Sequence, residues 1–409
     1  MKSLIINGGA PLFGSISAAG SKNAALPILF ATVITRGVSR IERLPDIGDV
    51  RVALRILEGF GAGIYSEGGA TFIDTRVLTY SPPRKEDVCR IRASTYLIGS
   101  CLSRFGKCEL MGFGGCNFSD RPIDMHISAA ETLGAVYTGD RLTARGLFGG
   151  EINFKKRSVG ATVNAILLAA SAVGETVIRG AAREPHIDSL IDFLVSAGAE
   201  IERLESEIRI KGRELHGGSI SVPGDMIEAG TYLSLGVVSG GEVTVNGCPS
   251  EHLSSVIAAL SSFGAEVTLS DNAISARPGA NMRYADVVAS PHPGFPTDLQ
   301  PIFSVVAACF SGGGIKDTVW QTRFGYLNEL SKFGIGSRLS GCRAEIYPSH
   351  LRPAKASAKD LRGGMACALA ALAAHGESVI DAAEIIERGY ESLTEKLESL
   401  GARVRIREG

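Results

Sequence analysis

The sequence lacks a long apolar run and has almost no net charge. Its richest apolar stretch, residues 365–374, is much shorter than the roughly 20 residues of a membrane-spanning helix. The formal net charge of −1 argues against a protein that binds nucleic acid or membranes through a basic field. The first nine residues carry one lysine and a three-residue apolar run, so no secretory signal is predicted. We therefore expect a cytoplasmic protein that neither inserts into a membrane nor binds nucleic acid.

The eight cysteines lack the paired spacing and histidine neighbours of a disulfide framework or a zinc site. Cys101, Cys309 and Cys367 lie in apolar helical stretches and are expected to be buried. Cys116 differs, because glycines precede it and Arg121 follows five positions later. A thiol on a glycine-rich loop beside a cation is typical of a nucleophile or proton donor. No metal and no organic cofactor is predicted.

Internal repetition predicts the fold. A chain of 409 residues is longer than one hydrophobic core usually supports, so two domains are expected. Six times, a helical pattern ends at a glycine that a strand pattern follows, as expected for left-handed helix caps. These glycines are Gly61, Gly134, Gly198, Gly264, Gly334 and Gly401. The sequence therefore predicts an α/β fold of six strand-helix-strand-helix-strand-strand repeats, three per domain. The first strand is expected to complete the last repeat, which makes the domain with the termini discontinuous.

A second helix in each repeat is almost wholly apolar and is expected to be buried at the middle of its domain. Polar residues at these helix starts, such as Ser158, Thr231 and Thr297, are consistent with ordinary capping. Capping does not explain Lys22, Arg92 and Arg362, because cations in the first turn oppose the helix dipole. Cations at these helix starts indicate anion binding. We expect the helix starts of the two domains to face a common ligand cleft.

Several motifs together resemble the UDP-N-acetylglucosamine enolpyruvyl transferase family, in order along essentially the whole chain. They are the segments 20–27, 112–126, 158–162, 182–185, 294–298, 323–324, 360–362 and 387–391. The resemblance implies an inside-out α/β barrel of two domains, with residues 1–21 and 226–409 in one and residues 22–225 in the other. It also implies transfer of the enolpyruvyl group of phosphoenolpyruvate to the 3′-hydroxyl of UDP-N-acetylglucosamine, the first committed step of peptidoglycan synthesis.

The resemblance assigns roles to particular residues. Cys116 is expected to donate a proton to phosphoenolpyruvate, Asp298 to act as the base, and Lys22 and Arg388 to assist catalysis. Alkylation of Cys116 by fosfomycin is also expected. The positions expected to bind the two substrates are Lys22, Asn23, Arg92, Arg121, Pro122, Ile123, Asp124, Met125, Lys156, Arg157, Ser158, Val159, Gly160, Asp298, Val319, Arg323, Arg362 and Arg388.

The chain departs from the family pattern near two of these positions. Gln321 and Thr322 replace a Glu-Asn pair, and Ser119 and Asp120 lie where the loop usually has other residues. Ser119 in place of a glycine is expected to stiffen the loop, and Asp120 places a negative charge beside Arg121, so closure or phosphate binding could be weakened. Gln321 and Asp120 therefore leave open a UDP-sugar-binding regulator without turnover. A transferase like 5-enolpyruvylshikimate-3-phosphate synthase also stays open, because it shares the architecture.

Overall fold

The chain forms two compact units. The computed structural model describes residues 2–110, 112–114 and 122–409. Within them, one unit comprises residues 2–19 and 224–409, and the other comprises the described part of residues 20–223. Each unit has its own hydrophobic core. Among the described residues, no helix is long and apolar enough to cross a membrane.

The helices of the described residues are numbered in chain order. They are α1 (Lys22–Ala31), α2 (Gly48–Gly59), α3 (Lys85–Val88), α4 (Leu97–Phe105), α5 (Asp124–Thr132), α6 (Val159–Ala169), α7 (Pro185–Ser196), α8 (Met226–Ser239), α9 (Ser254–Ser262), α10 (Gln300–Cys309), α11 (Leu327–Leu330), α12 (Leu361–Ala373) and α13 (Leu393–Ser399). Short 3-10 turns lie at Thr32–Ile34, Arg92–Tyr96, Ser250–Leu253, Thr297–Leu299, Ser331–Phe333 and Ala383–Arg388.

The strands of the described residues follow the same order. They are β1 (Lys2–Gly8), β2 (Phe13–Ser17), β3 (Val38–Glu42), β4 (Gly63–Glu67), β5 (Ala70–Asp74), β6 (Lys107–Glu109), β7 (Val136–Tyr137), β8 (Arg141–Thr143), β9 (Glu151–Asn153), β10 (Glu175–Arg179), β11 (Glu200–Arg203), β12 (Glu207–Lys211), β13 (Ser219–Ser221), β14 (Glu242–Asn246), β15 (Glu266–Ser270), β16 (Ala273–Arg277), β17 (Ala285–Ala289), β18 (Gly313–Asp317), β19 (Ser337–Ser340), β20 (Arg343–Ile346), β21 (Lys355–Ser357), β22 (Gly376–Asp381) and β23 (Arg403–Glu408).

The sheets repeat one pattern. The unit with the termini has the strand orders β21-β22-β1-β23, β15-β16-β14-β2 and β17-β18-β20-β19. The other unit has β13-β3-β5-β4, β11-β12-β10-β9 and, in its described residues, β6-β8-β7. Each four-stranded sheet contains one parallel pair at an edge and two antiparallel contacts. The predicted α/β class and its repeated unit are confirmed.

The first strand completes the last repeat, as predicted. In β1, Ile5 lies opposite Val379 of β22 on one side and Arg405 of β23 on the other. Two further edge strands pair across large sequence separations, since β2 runs parallel to β14 and β13 runs parallel to β3. The strands β2 and β13 each end shortly before the chain passes from one unit to the other.

All six predicted cap glycines have a left-handed backbone. Their φ values lie between +88° and +100°. In five of the six caps the next residue donates its N–H back into the helix, as Ala199 does to the Leu194 carbonyl at 2.9 Å. This bond is the signature of a Schellman cap, which ends the helix and directs the chain into the following strand.

The end of α2 offers a direct test of this capping. Gly61 has φ +93° and only an ordinary contact at 3.6 Å from the position of an added Cβ, so Gly61→Ala adds backbone strain without a clash. We expect it to lower the free energy of unfolding by about 1 kcal/mol or more. Gly59 is exposed, lies in the helix and has nothing near an added Cβ, so Gly59→Ala is expected to raise stability by about 0.5 kcal/mol. Urea unfolding of both variants measures the contrast, and equal effects would contradict the cap assignment.

The second helix of each repeat is buried, as predicted, and side chains cap several of them. Ser21, Ser158, Asp225 and Asp360 accept hydrogen bonds from N–H groups in the first turns of α1, α6, α8 and α12. The capping interpretation is wrong for Thr231 and Thr297. Thr231 lies inside α8, because Asp225 already caps that helix, and its hydroxyl bonds the Ile227 carbonyl at 2.7 Å. Thr297 lies in a 3-10 turn and its hydroxyl donates to Asp317 instead.

Candidate active site

The unit with the termini brings three of the predicted residues into direct contact. Asp298 lies in the 3-10 turn before α10, Arg362 in the first turn of α12, and Arg323 in the turn before α11. Arg323 Nη1 lies 2.8 Å from Asp298 Oδ1, and Arg362 Nη2 lies 3.0 Å from Oδ2. One carboxylate therefore lies between two guanidinium groups.

Both arginines of the cluster are almost completely buried, with side-chain exposures of 6% for Arg323 and 2% for Arg362. Burial is the largest single influence and opposes the charge of Arg362, but Asp298, Tyr390 and Asp225 together outweigh it and raise the pKa of the guanidinium. By geometry, Nη1 of Arg362 has no aligned hydrogen-bond partner among the residues that the structure describes, although the guanidinium also interacts with the Tyr390 side chain. A guanidinium N–H without an aligned partner is suited to bind an anionic ligand.

Asp317 organises this cluster, although no sequence motif pointed to it. It lies at the end of β18 and is fully buried. Its Oδ1 accepts the N–H groups of Val319 and Trp320, each at 2.8 Å, and its Oδ2 accepts the Thr297 hydroxyl. The same carboxylate thus holds the turn with Asp298 and the turn that leads through Val319 to Arg323.

Tyr390 also contacts Arg362, through the face of its ring. The guanidinium carbon of Arg362 lies 5.4 Å from the centroid of the Tyr390 ring. The Tyr390 hydroxyl lies 2.9 Å from that of Thr231. Because the Thr231 hydroxyl donates to a backbone carbonyl, it accepts the hydrogen bond from Tyr390. Arg388, a predicted substrate ligand, is half-buried and ends the 3-10 turn two residues before Tyr390.

In the other unit, Lys22 begins α1 and Asn23 follows it, both half-buried. Lys22 Nζ lies 3.1 Å from Oδ2 of Asp49, which is buried in the first turn of α2. The cations at the helix starts were expected to lie beside ligand anions. Protein carboxylates also fill that role, since Asp49 pairs with Lys22 and Asp298 with Arg362.

The segments predicted to bind the nucleotide converge on one buried amide in this unit. Asn164 of α6 bonds the Thr95 carbonyl, in the turn that Arg92 begins, and the imidazole of His126 in α5. Pro122, Ile123, Asp124 and Met125 immediately precede or begin α5, and Ser158, Val159 and Gly160 cap and begin α6. Lys156 and Arg157 are exposed just before this cap. Burial lowers the pKa of Arg92.

Cys116 and Arg121 lie outside the described residues, as do Ser119 and Asp120. The start of their loop shows why glycine is needed there. The N–H of Gly114 bonds the Val88 carbonyl at 3.1 Å, and an added Cβ at Gly114 would lie 1.7 Å from the Cys89 carbonyl oxygen. No larger residue fits that contact.

Residues 6–397 match the family described as EPSP synthase (3-phosphoshikimate 1-carboxyvinyltransferase). The chain belongs to this family. Curated relatives of this EPSP synthase family member include UDP-N-acetylglucosamine 1-carboxyvinyltransferases from Clostridium botulinum and Halothermothrix orenii. They are 40% and 38% identical to it, and each match covers 99% of both chains. The chain is an enolpyruvyl transferase, as its motifs predict.

Solved structures agree with the family. The enolpyruvyl transferase NikO from Streptomyces tendae superimposes with a TM-score of 0.90 at 26% identity, covering 100% of this chain and 99% of that one. EPSP synthase from Acinetobacter baumannii superimposes with a TM-score of 0.77 at 16% identity over 100% of both chains, which supports the fold alone. The predicted two-domain fold class of this family member is confirmed.

Within this family fold, one departure from the usual motifs can be located. Gln321 and Thr322 are both exposed on the turn before Arg323. The backbone of that turn is closed by a bond from the Arg323 N–H to the Trp320 carbonyl at 3.0 Å. The two substitutions therefore leave the contact between Arg323 and Asp298 intact. In the described residues, no group of three or more His, Cys, Asp or Glu side chains is arranged to hold a metal ion.

Sequence reasoning missed Asp49, Asp317 and Asn164. Asn164 did carry a signal, because it is an amide inside the otherwise apolar run of α6. Asp317 follows a strand pattern directly, a position where Asp commonly bonds the next backbone N–H groups. Asp49 carried no such signal, since its partner Lys22 is distant in sequence.

Proposed function

We propose that this chain transfers the enolpyruvyl group of phosphoenolpyruvate to the 3′-hydroxyl of UDP-N-acetylglucosamine and releases phosphate. The relatives that share 38–40% of its sequence over the full length carry the name of this activity. The observation that carries the proposal is the Asp298 carboxylate held between Arg323 and Arg362. The proposal places the reaction in the cytoplasm, as the first committed step of peptidoglycan synthesis.

The chemistry needs one proton donor, one base and several cations. Cys116 gives a proton to the methylene carbon of phosphoenolpyruvate while the sugar oxygen bonds to the adjacent carbon. Asp298 takes the proton of the sugar hydroxyl, and a tetrahedral intermediate results. Phosphate then leaves with the proton that Asp298 had taken, and a methyl proton returns to the Cys116 thiolate, which restores the double bond and both catalytic groups. Each step balances without a metal or a redox partner.

Two arginines orient Asp298 for this role. Its Oδ1 accepts from Arg323 Nη1 at 2.8 Å, and its Oδ2 accepts from Arg362 Nε at 3.1 Å. Charge-assisted hydrogen bonds of this kind fix the direction of the carboxylate, as a positioned base requires.

Cations bind the anionic substrates in this proposal. Lys22, Arg121 and Arg388 hold the phosphate and carboxylate of phosphoenolpyruvate, and Arg362 adds its Nη1. Asn23 orients the sugar. On the acceptor side, the proposal assigns the nucleotide to Arg92, to the segments 121–125 and 156–160, and to Val319. Fosfomycin alkylation of Cys116 belongs to the same proposal.

Phosphate release from phosphoenolpyruvate tests the function. We expect release that requires UDP-N-acetylglucosamine, no release with shikimate-3-phosphate, and loss of turnover in Cys116→Ala by at least about 10²-fold. Calorimetry should show that Cys116→Ala still binds the UDP-sugar, since the thiol is assigned to proton transfer. Cys89→Ala, which removes an exposed thiol beside the start of the loop, is the matched control and is expected to keep activity.

Other outcomes have a defined meaning. UDP-sugar binding without phosphate release in the wild type would indicate a binding protein instead of a transferase. Release that depends on shikimate-3-phosphate would identify the other acceptor. Turnover that survives in Cys116→Ala would contradict the role of the thiol.

A further inference from the structure

The amide of Asn164 is fixed in one orientation. Asn164 is fully buried in α6, and its Oδ1 accepts the N–H of Gly99 at 2.6 Å. Its Nδ2 donates to the Thr95 carbonyl at 3.0 Å. Rotation of the amide by half a turn would set its NH₂ against an N–H and its oxygen against a carbonyl. Two backbone groups therefore determine that Nδ2 faces His126.

The amide orientation in turn determines the protonation of His126. Its Nδ1 lies 2.7 Å from Asn164 Nδ2, and an NH₂ group can only donate. Nδ1 must accept, so the imidazole is neutral and carries its proton on Nε2. The same conclusion follows from the surroundings, because burial, and next the charge of Arg92, lower the pKa of His126 to about 4.

This neutral pair joins the three segments assigned to the nucleotide. Thr95 belongs to the turn that Arg92 begins, and its hydroxyl bonds the Arg92 carbonyl at 3.0 Å. His126 lies directly after Asp124 and Met125 in α5. Its ring also packs on the first turn of α6, since an added Cβ at Gly160 would lie 2.9 Å from His126 Cε1. One Nδ2 hydrogen of Asn164 therefore bonds the turn that Arg92 begins, and the other bonds α5 through His126.

We propose that Asn164 and His126 are a positioning pair that sets the affinity for the nucleotide half of the acceptor. This inference rests on the proposed function. The pair has no charge, so it orders the surrounding cations without competing with the substrate's phosphates for them. Loss of the hydrogen bond between Asn164 and His126 should raise the KM for UDP-N-acetylglucosamine and leave the KM for phosphoenolpyruvate near its wild-type value.

Two substitutions separate positioning from direct ligand contact. In His126→Asn the side-chain oxygen takes the place of the Nδ1 acceptor, whereas His126→Gln places its amide where Nε2 lies and removes that acceptor. Leaving the buried Asn164 donor without a partner should displace the segments that this pair holds, so His126→Gln should raise the UDP-sugar KM by about 10-fold to 100-fold. His126→Asn should stay within about threefold of wild type.

Thr75→Val is the matched control for a lost buried hydrogen bond. The Thr75 hydroxyl lies 3.1 Å from that of Thr35 in the same unit, and none of the assigned nucleotide segments contributes to that pair. Thr75→Val is expected to lower the melting temperature without changing either KM. Calorimetric titration with UDP supplies a readout that does not depend on turnover, and nitrogen-15 NMR of the wild-type imidazole should show the Nε2–H tautomer near neutral pH.

The results separate this inference from the function on which it rests. Absence of UDP-sugar-dependent phosphate release in the wild type would reject the proposed function. With that release present, a higher UDP-sugar KM in His126→Gln alone supports the positioning pair. Any other pattern between the two variants, or an Nδ1–H tautomer in the wild type, would overturn it.

Discussion

Replacing Asp298 by asparagine is expected to lower kcat by about 10³-fold, because it removes the proposed base while preserving the shape of the side chain. The structure adds a second reason. Arg323 and Arg362 both point their N–H groups at this carboxylate, so the amide must turn a donor towards one of the two buried guanidinium groups. Steady-state phosphate release and calorimetric binding of UDP-N-acetylglucosamine measure the two consequences separately.

The exposed carboxylate of Asp286 provides the matched control for this change. It also pairs with an arginine, Arg343, at 2.7 Å in the same unit, but both side chains are at least 39% exposed. Exposed ion pairs contribute about 0–1 kcal/mol, so Asp286→Asn should change neither stability nor kcat appreciably. Asp298→Asn that retains more than a tenth of the wild-type kcat would contradict the assignment of Asp298 as the base.

The repeats could be predicted from short stretches of sequence, because a single kind of residue marks each feature of the repeat. A glycine after a helical pattern is favoured at the left-handed cap, and all six predicted glycines adopt that backbone. The apolar helices likewise indicated their own burial, since a helix without a polar face must be covered on all sides. The first strand could be assigned to the last repeat by counting strands, and its pairing with β22 and β23 follows.

The candidate site was predicted less completely, for a physical reason. Cations at helix starts are visible in a sequence, but their carboxylate partners are not. Asp49 lies beside Lys22 and Asp317 beside Thr297 only after helices and strands from distant segments pack together. The bond between His126 and Asn164 likewise depends on the packing of α5 against α6.

The boundaries of helices were also less predictable than their existence. Thr231 was expected at a helix start, yet α8 begins at Met226 because Asp225 binds the N–H groups of Ile227 and Glu228. Glu228 is thereby placed inside the first turn and fully covered. Its carboxylate accepts the Ala19 N–H at 2.6 Å and lies 2.7 Å from Lys396 Nζ of α13.

The Lys396→Ala variant is expected to lose about 3–5 kcal/mol of stability at pH 7, since it leaves the buried Glu228 carboxylate without its counter-charge. The side chain of Glu228 is 1% exposed and that of Lys396 is 15% exposed, so solvent can replace little of the interaction. The same carboxylate holds residue 19, the last residue before the chain leaves this unit. Chemical unfolding at pH 7 measures the loss.

The pH dependence of that loss follows from the sign of the shift at Glu228. Burial raises the pKa of Glu228 in the folded protein, and Lys396 opposes the rise. A folded state that binds the proton more tightly than the unfolded state loses stability as pH increases through the raised pKa. Removal of Lys396 raises that pKa further, so the variant should recover part of its stability between pH 7 and pH 5.

Lys332→Ala is the matched control for this loss. The Lys332 Nζ also lies 2.7 Å from a carboxylate, that of Glu329, but the Lys332 side chain is 45% exposed. Its removal should therefore cost at most about 1 kcal/mol of stability. A loss in Lys396→Ala that is the same at both pH values would show that its cause is packing and not the buried charge.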